Sequence, residues 1–92
     1  MSKKNRPPIP EPMQREVRQR CGFCCVICGT MPTEIHHVID YSEVEKHEVD
    51  NLVLLCDRHH KEASSGRLSR AQVIEKQRKP FYKSGQPASY EY

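Results

Sequence analysis

Apolar positions along the chain fall in short runs separated by polar or proline-rich stretches, and each run has its own period. Met13 and Val17 stand four apart among Arg15, Arg18 and Gln19, which is one face of a short helix. Pro12 suits its first turn, and Cys21-Gly22 its end. The next segment, CCVICGT over residues 24–30, follows neither a helical nor a strand period and reads as a tight knuckle. Residues 34–39 form a β-branched run that predicts a strand, and residues 40–50 a polar loop. NLVLLC, residues 51–56, is a continuous apolar run and predicts a second, buried strand. DRHHKEASSG has no β-branched residue and ends at Gly66, which predicts a short helix. Ser69 followed by Gln72 matches a capping box that opens a last helix over residues 71–79, with Val73 and Ile74 inward and Pro80 as its stop. The order is helix, knuckle, strand, loop, strand, helix, helix: an α+β chain with a ββα unit at its centre.

The ends show no such pattern. MSKKNRPPIP and PFYKSGQPASYEY divide the chain into a basic flexible arm (1–10), a domain (11–79) and an irregular tail (80–92). One domain is all that 92 residues allow. Roughly 70 folding residues is a size at which a covalent or metal staple is usually needed. Five cysteines can supply one. An odd count and CxxC spacings favour metal over disulfides, and with no apolar signal run the expected setting is a reducing cytoplasm. No stretch approaches the ~20 apolar residues of a membrane span.

Two pairs have zinc-ligand spacing: Cys25-x-x-Cys28 and Cys56-x-x-His59. Each pair lets two ligands reach one tetrahedral ion from a tight turn, and Gly29 leaves room for the backbone there. Together they give a closed structural set of three thiolates and one imidazole. Cys21-x-x-Cys24 has the same spacing and overlaps the first pair; the Cys-Gly ending favours Cys25 and Cys28, leaving Cys21 and Cys24 as small buried hydrophobes.

Charge is unevenly distributed. Residues 1–20 carry six basic and two acidic side chains, residues 34–50 one and six, and residues 51–83 eight and three, within a net +3. Basic ends flanking an acidic middle suit a polyanionic partner.

The histidines are left over. His36 and His37 are adjacent in a predicted strand, where neighbours point to opposite faces, and a second pair follows at His59-His60. With these included, CxxCG…EIHHVI…VDNLVLLCxxHHK resembles the HNH endonuclease family, of the zinc-stapled ββα-metal kind, from about Arg15 to Gly66. Family members usually have two cysteines in the second pair, and here His59 stands for the second. The resemblance implies a metal-dependent endonuclease hydrolysing DNA phosphodiester bonds, with His37 as general base. It also implies a catalytic divalent cation held by His36 and His60, and Asn51 holding the loop and orienting His37.

The chemistry of the residues agrees with those roles. Neutral imidazole, with pKa near ~6.5, takes a proton from water at physiological pH. A cation stabilises the developing charge and the leaving oxygen. Imidazole ligands suit manganese, nickel, cobalt or zinc better than magnesium. Arg58, Lys61, Arg67 and Arg70 are the expected phosphate contacts, with little sequence specificity and a steep salt dependence. Phe81, Tyr82 and Tyr90 either stack on bases or belong to the tail. His47 reads as loop surface, and Glu34, Asp40 and Glu48 as solvated carboxylates. Phage packaging or restriction partners are an expectation of the resemblance alone. The alternative is a zinc-stapled module that binds nucleic acid or protein without cutting.

Overall fold

A computed structural model describes residues 7–83. Helix α1 spans Glu11–Arg20, strand β1 Thr33–His37, the one-turn helix α2 Tyr41–Val44, strand β2 Leu52–Cys56, helix α3 Asp57–Ser65 and helix α4 Arg70–Arg78. Short 3-10 turns cover Val49–Asn51 and Phe81–Lys83. The small α+β architecture expected from the pattern is the one found.

The two strands pair antiparallel, Thr33 opposite Cys56, Ile35 opposite Leu54 and His37 opposite Leu52. Residues directly opposite share a face. Ile35, His37, Leu52 and Leu54 therefore lie on one side, and Glu34, His36, Val53 and Leu55 on the other. All five residues of β2 are buried, because α1 and α3 both pack on it. That is why its sequence reads as unbroken apolar rather than alternating. Val17 and Val73 enter the same core from α1 and α4, and Met13 packs against its edge.

Several boundaries move by a residue or two for local reasons. Helix α1 begins at Glu11, not Pro12; Pro10 caps it and Pro12 is second in line, where a missing N–H costs nothing. Strand β1 ends at His37 because the next two residues bond elsewhere. The Val38 amide donates to the Asn51 carbonyl (2.8 Å), and Ile39 pairs with the Asn51 side chain. The predicted loop contains α2, whose first turn is capped by the Asp40 carboxylate accepting from the Ser42 amide (3.1 Å). Asn51 belongs to the 3-10 turn, and the strand starts one residue later. The capping box has both halves: the Gln72 amide donates to Ser69 Oγ (3.1 Å) and the Ser69 amide to Gln72 Oε1 (2.9 Å). Helix α4 therefore opens at Arg70. Ile74, expected inward, is 39% exposed, while Val73 is buried. One residue is about 100° of helical rotation, so the two cannot share the core side.

Where they are described, the segments before α1 and after α4 touch the rest of the fold. Ile9 packs against the core, and its carbonyl accepts from Gln14 Nε2 (2.7 Å). At the other end Pro80 is buried and the Phe81 amide donates to the Val26 carbonyl (3.0 Å). The ring of Tyr82 lies over Gly22. Tyr90, like the rest of residues 84–92 and residues 1–6, lies outside the described residues.

Gly22 is the tightest point of that contact. Its φ is +73°, and a Cβ there would collide with the Cγ of Tyr82. Gly22→Ala combines a left-handed backbone with a clash at the root of a side chain. The zinc-loaded variant should lose about 1–3 kcal/mol. Its thermal midpoint, followed by circular dichroism, should fall by at least several degrees.

Candidate metal centre and histidine cleft

Four side chains from two turns converge beneath the sheet. Cys25 and Cys28 come from the knuckle, Cys56 is the last residue of β2, and His59 lies in the first turn of α3. Their ligand atoms all lie within 4.8 Å of one another. Cys28 Sγ is 3.8 Å from Cys56 Sγ, and His59 Nδ1 is 3.6 Å from Cys25 Sγ and 3.3 Å from Cys56 Sγ. A tetrahedral zinc with ordinary bond lengths has edges of about 3.8 Å between sulfurs and about 3.5 Å between sulfur and nitrogen. The cluster therefore has the shape and donor set of a structural zinc site.

The knuckle is built to hold negative sulfur. The Ile27 amide points at Cys25 Sγ (3.4 Å), and the Thr30 hydroxyl lies 2.9 Å from Cys28 Sγ. Gly29, at φ +78°, lets its amide turn back to the Cys25 carbonyl (2.9 Å). Burial pushes the Cys25 thiol up to about 12. A cation in the cluster is what makes that thiolate tenable at neutral pH. Burial, and then the nearby Arg58 guanidinium, lower the His59 pKa and favour the neutral imidazole that a metal needs. Cys21 and Cys24 stay outside the cluster. Cys21 is buried and accepts the Leu54 amide (3.4 Å), and Cys24 leans on the Cys21 carbonyl (3.8 Å).

Above the staple, the strand–helix joint brings the other histidines together. His36 of β1 and His60 of α3 meet edge to face, with ring centres 5.1 Å apart. Burial, and then His60, depress the His36 pKa. Glu34, two residues back on the same face of β1, is 3.0 Å from His60 Nδ1, so it is less detached than a solvated carboxylate. His37 is 6% exposed. A cleft of about 490 Å³ opens over His36 and His37, with Asp40, Ser69 and Arg70 on its walls.

Asn51 closes the loop beside them. Its Oδ1 accepts the Ile39 amide (2.7 Å) and its Nδ2 donates to the Ile39 carbonyl (3.0 Å). Any influence of Asn51 on His37 runs through this backbone clamp, not through a direct amide–imidazole bond.

His47 departs from the sequence reading. It is half-buried, and its Nδ1 is 3.1 Å from His37 Nε2. The rings of Tyr41 and His47 are 5.0 Å apart, and Tyr41 also meets His37 at 5.6 Å. Nothing in the local sequence marks His47, because the contact is made by a loop folding back. Among the basic candidates, Arg70 lines the cleft and pairs with Glu43 (3.4 Å). Lys61 pairs with Asp57 on α3 (3.3 Å), and Arg58 and Arg67 are exposed. Glu48 pairs with Lys46 on the surface (3.3 Å).

Two antiparallel strands feeding a helix, with three cysteines and a histidine gathered at the joint, define a small ββα domain whose cluster could hold a structural zinc. The family model described as HNH endonuclease matches residues 19–66, just over half of the 92-residue chain. The chain belongs to the HNH endonuclease family. No curated protein and no solved structure matches it significantly. Among the described residues no helix is long and apolar enough to cross a membrane.

Stripping the cluster should unfold the domain. Structural zinc in finger peptides contributes about 10–16 kcal/mol, more than the whole stability of most small domains. Dialysis against a strong chelator at pH 7 should abolish the helical circular dichroism, and equimolar zinc should restore it. Protons compete for the thiolates, so zinc affinity should fall as pH falls. A chromogenic zinc indicator should report release on acidification.

Proposed function

We propose that this chain is a metal-dependent endonuclease that hydrolyses DNA phosphodiester bonds. The observation that carries the reading is the meeting of His36 and His60 at the strand–helix joint, with His36 and His37 both lining one open cleft, in a member of the HNH endonuclease family.

In this reading His37 takes the proton from the attacking water. His36 and His60 hold a divalent cation. Two imidazoles sharing one ion at ordinary bond lengths have ring centres roughly 4.5–5.2 Å apart, and the observed 5.1 Å suits that arrangement. The Glu34 carboxylate accepts from His60 Nδ1–H, leaving Nε2 of His60 to face the ion. When bound, the cation would supply charge stabilisation for the pentavalent phosphorus and the leaving oxygen. Two protein ligands leave room for water and phosphate, and imidazoles favour manganese, nickel, cobalt or zinc over magnesium. Arg70, on the cleft wall, is the nearest candidate for a phosphate contact, with Arg58, Lys61 and Arg67 further along the surface. A cytoplasmic setting and phage packaging or restriction partners accompany this proposal.

One observation favours the non-cutting module instead. Among the described residues, the Cys25, Cys28, Cys56 and His59 cluster is the only group of three or more potential metal ligands within reach of one ion. A protein that binds nucleic acid without cutting would hold one zinc and no second cation.

The zinc-loaded protein mixed with supercoiled plasmid and each divalent ion in turn decides between them. Nicked or linear product should appear with at least one metal, and elemental analysis should show a second ion per chain. His37→Ala should lower the rate by about 10²–10⁴ while zinc content and DNA binding persist. DNA affinity should fall steeply between low and physiological salt. Intact, zinc-loaded protein that leaves plasmid uncut with every metal would refute the enzyme.

A further inference from the structure

His47 stands in a chain of contacts that fixes where protons sit. Its Nε2 is 2.8 Å from the carbonyl oxygen of Pro7. A carbonyl can only accept, so Nε2 of His47 carries the hydrogen. In neutral imidazole the other nitrogen is then a lone pair, and Nδ1 of His47 is 3.1 Å from Nε2 of His37. That lone pair can only accept. Nε2 of His37 is therefore the donor in this contact, and when the His37 ring is neutral its Nδ1 carries the lone pair. The Tyr41 ring, 5.0 Å from His47 and 5.6 Å from His37, holds both rings in this geometry.

We infer that His47 is a positioning residue: held by the Pro7 carbonyl, it locks His37 in the Nε2–H tautomer and makes Nδ1 of His37 the atom that accepts the proton. A free imidazole exchanges its two tautomers, and a base that must present one nitrogen to a water loses rate while it spends time in the other. The polar loop between the strands, together with the segment before α1, thus sets the chemistry of a residue on β1. This inference rests on the endonuclease reading for its consequence in rate, but the tautomer itself is measurable without any cleavage.

The first measurement is long-range proton–nitrogen correlation on histidine-labelled, zinc-loaded protein at pH 8, above the ordinary imidazole pKa of about 6.5. No second metal is added. His37 should show a pyrrole-type Nε2 and a pyridine-type Nδ1. In His47→Ala it should move toward a tautomer mixture. In His47→Asn, whose Oδ1 replaces the acceptor at the Nδ1 position but leaves Pro7 unpartnered, the Nε2–H form should persist. A wild-type His37 found as the Nδ1–H tautomer overturns the inference without any variant having to fold. So does a spectrum that His47→Ala leaves unchanged.

The second measurement is plasmid nicking. With an active wild type, His47→Ala should lower kcat on the order of 10–100-fold, the usual cost of losing an orienting partner. KM should change little, and His47→Asn should recover most of the loss. An unaltered kcat in His47→Ala overturns the positioning role. If the wild type leaves plasmid uncut with every metal while the tautomer still depends on His47, the endonuclease reading falls and the locked tautomer stands.

Discussion

The fold depends on one event, the gathering of three sulfurs and an imidazole around a point between the knuckle and the β2–α3 joint. Only about a dozen residues form the buried core, and several of them are the ligands themselves. An apolar core of this size cannot hold three thiols pressed together as a net gain. Burial raises the cost of the Cys25 thiolate, pushing its pKa up to about 12. A divalent cation reverses the sign of that cost. The same four side chains that are a liability without metal become the strongest tie in the chain with it.

That tie also sets the geometry of the histidine cleft. Cys56 ends β2 and His59 lies in the first turn of α3, so a metal held by both would fix the angle at which the helix leaves the strand. His60 is the next residue, and its ring meets His36 only if that angle holds. The antiparallel register sets the other half, placing His36 on the α3 face and His37 on the opposite one. His36 and His37 can therefore do different work because the pleat turns them apart, while the end of the strand keeps both on one cleft. Helix α4 lies beyond the family-matched residues 19–66, yet Arg70 and Val73 line that cleft. The chain thus contributes a wall of its own to a shared core.

What was legible in the sequence is what depends on short-range spacing. Both ligand pairs, which gather into one cluster, the capping box at Ser69 and the buried strand, expected over residues 51–56 and found over 52–56, follow from offsets of two to five residues. The stop of β1 was not legible, because it is made by Asn51 from twelve residues away. Ile74 was misplaced because two adjacent apolar residues do not say which one the helix turns inward; it is Val73 that enters the core. His47 was missed for the same kind of reason. Its partners, Pro7 and His37, are forty and ten residues distant, and no periodicity connects them. Contacts made by loop closure leave no local trace, and here they surround the cleft while the regular elements surround the staple.

The substitution of His59 for the second cysteine of its pair bears on how the two halves coexist. Zinc with four thiolates carries a net charge of −2, and with three thiolates and a neutral imidazole −1. His59 is adjacent in sequence to His60, and Arg58 flanks it on the other side with a guanidinium nitrogen 3.3 Å from His59 Nε2. With Nδ1 on the metal, Nε2 bears a hydrogen, so this Arg58 contact is a charge neighbour and not a hydrogen bond. A histidine there lessens the negative charge of the staple at the point where it comes closest to the cleft. In the proposed reading, where the cleft takes a phosphate, that unit would matter, because the field of a buried site is screened less than that of a surface ion pair. The same replacement gives up one strong thiolate ligand. A zinc held by this set would thus trade some ligand strength for one unit less negative charge beside His60.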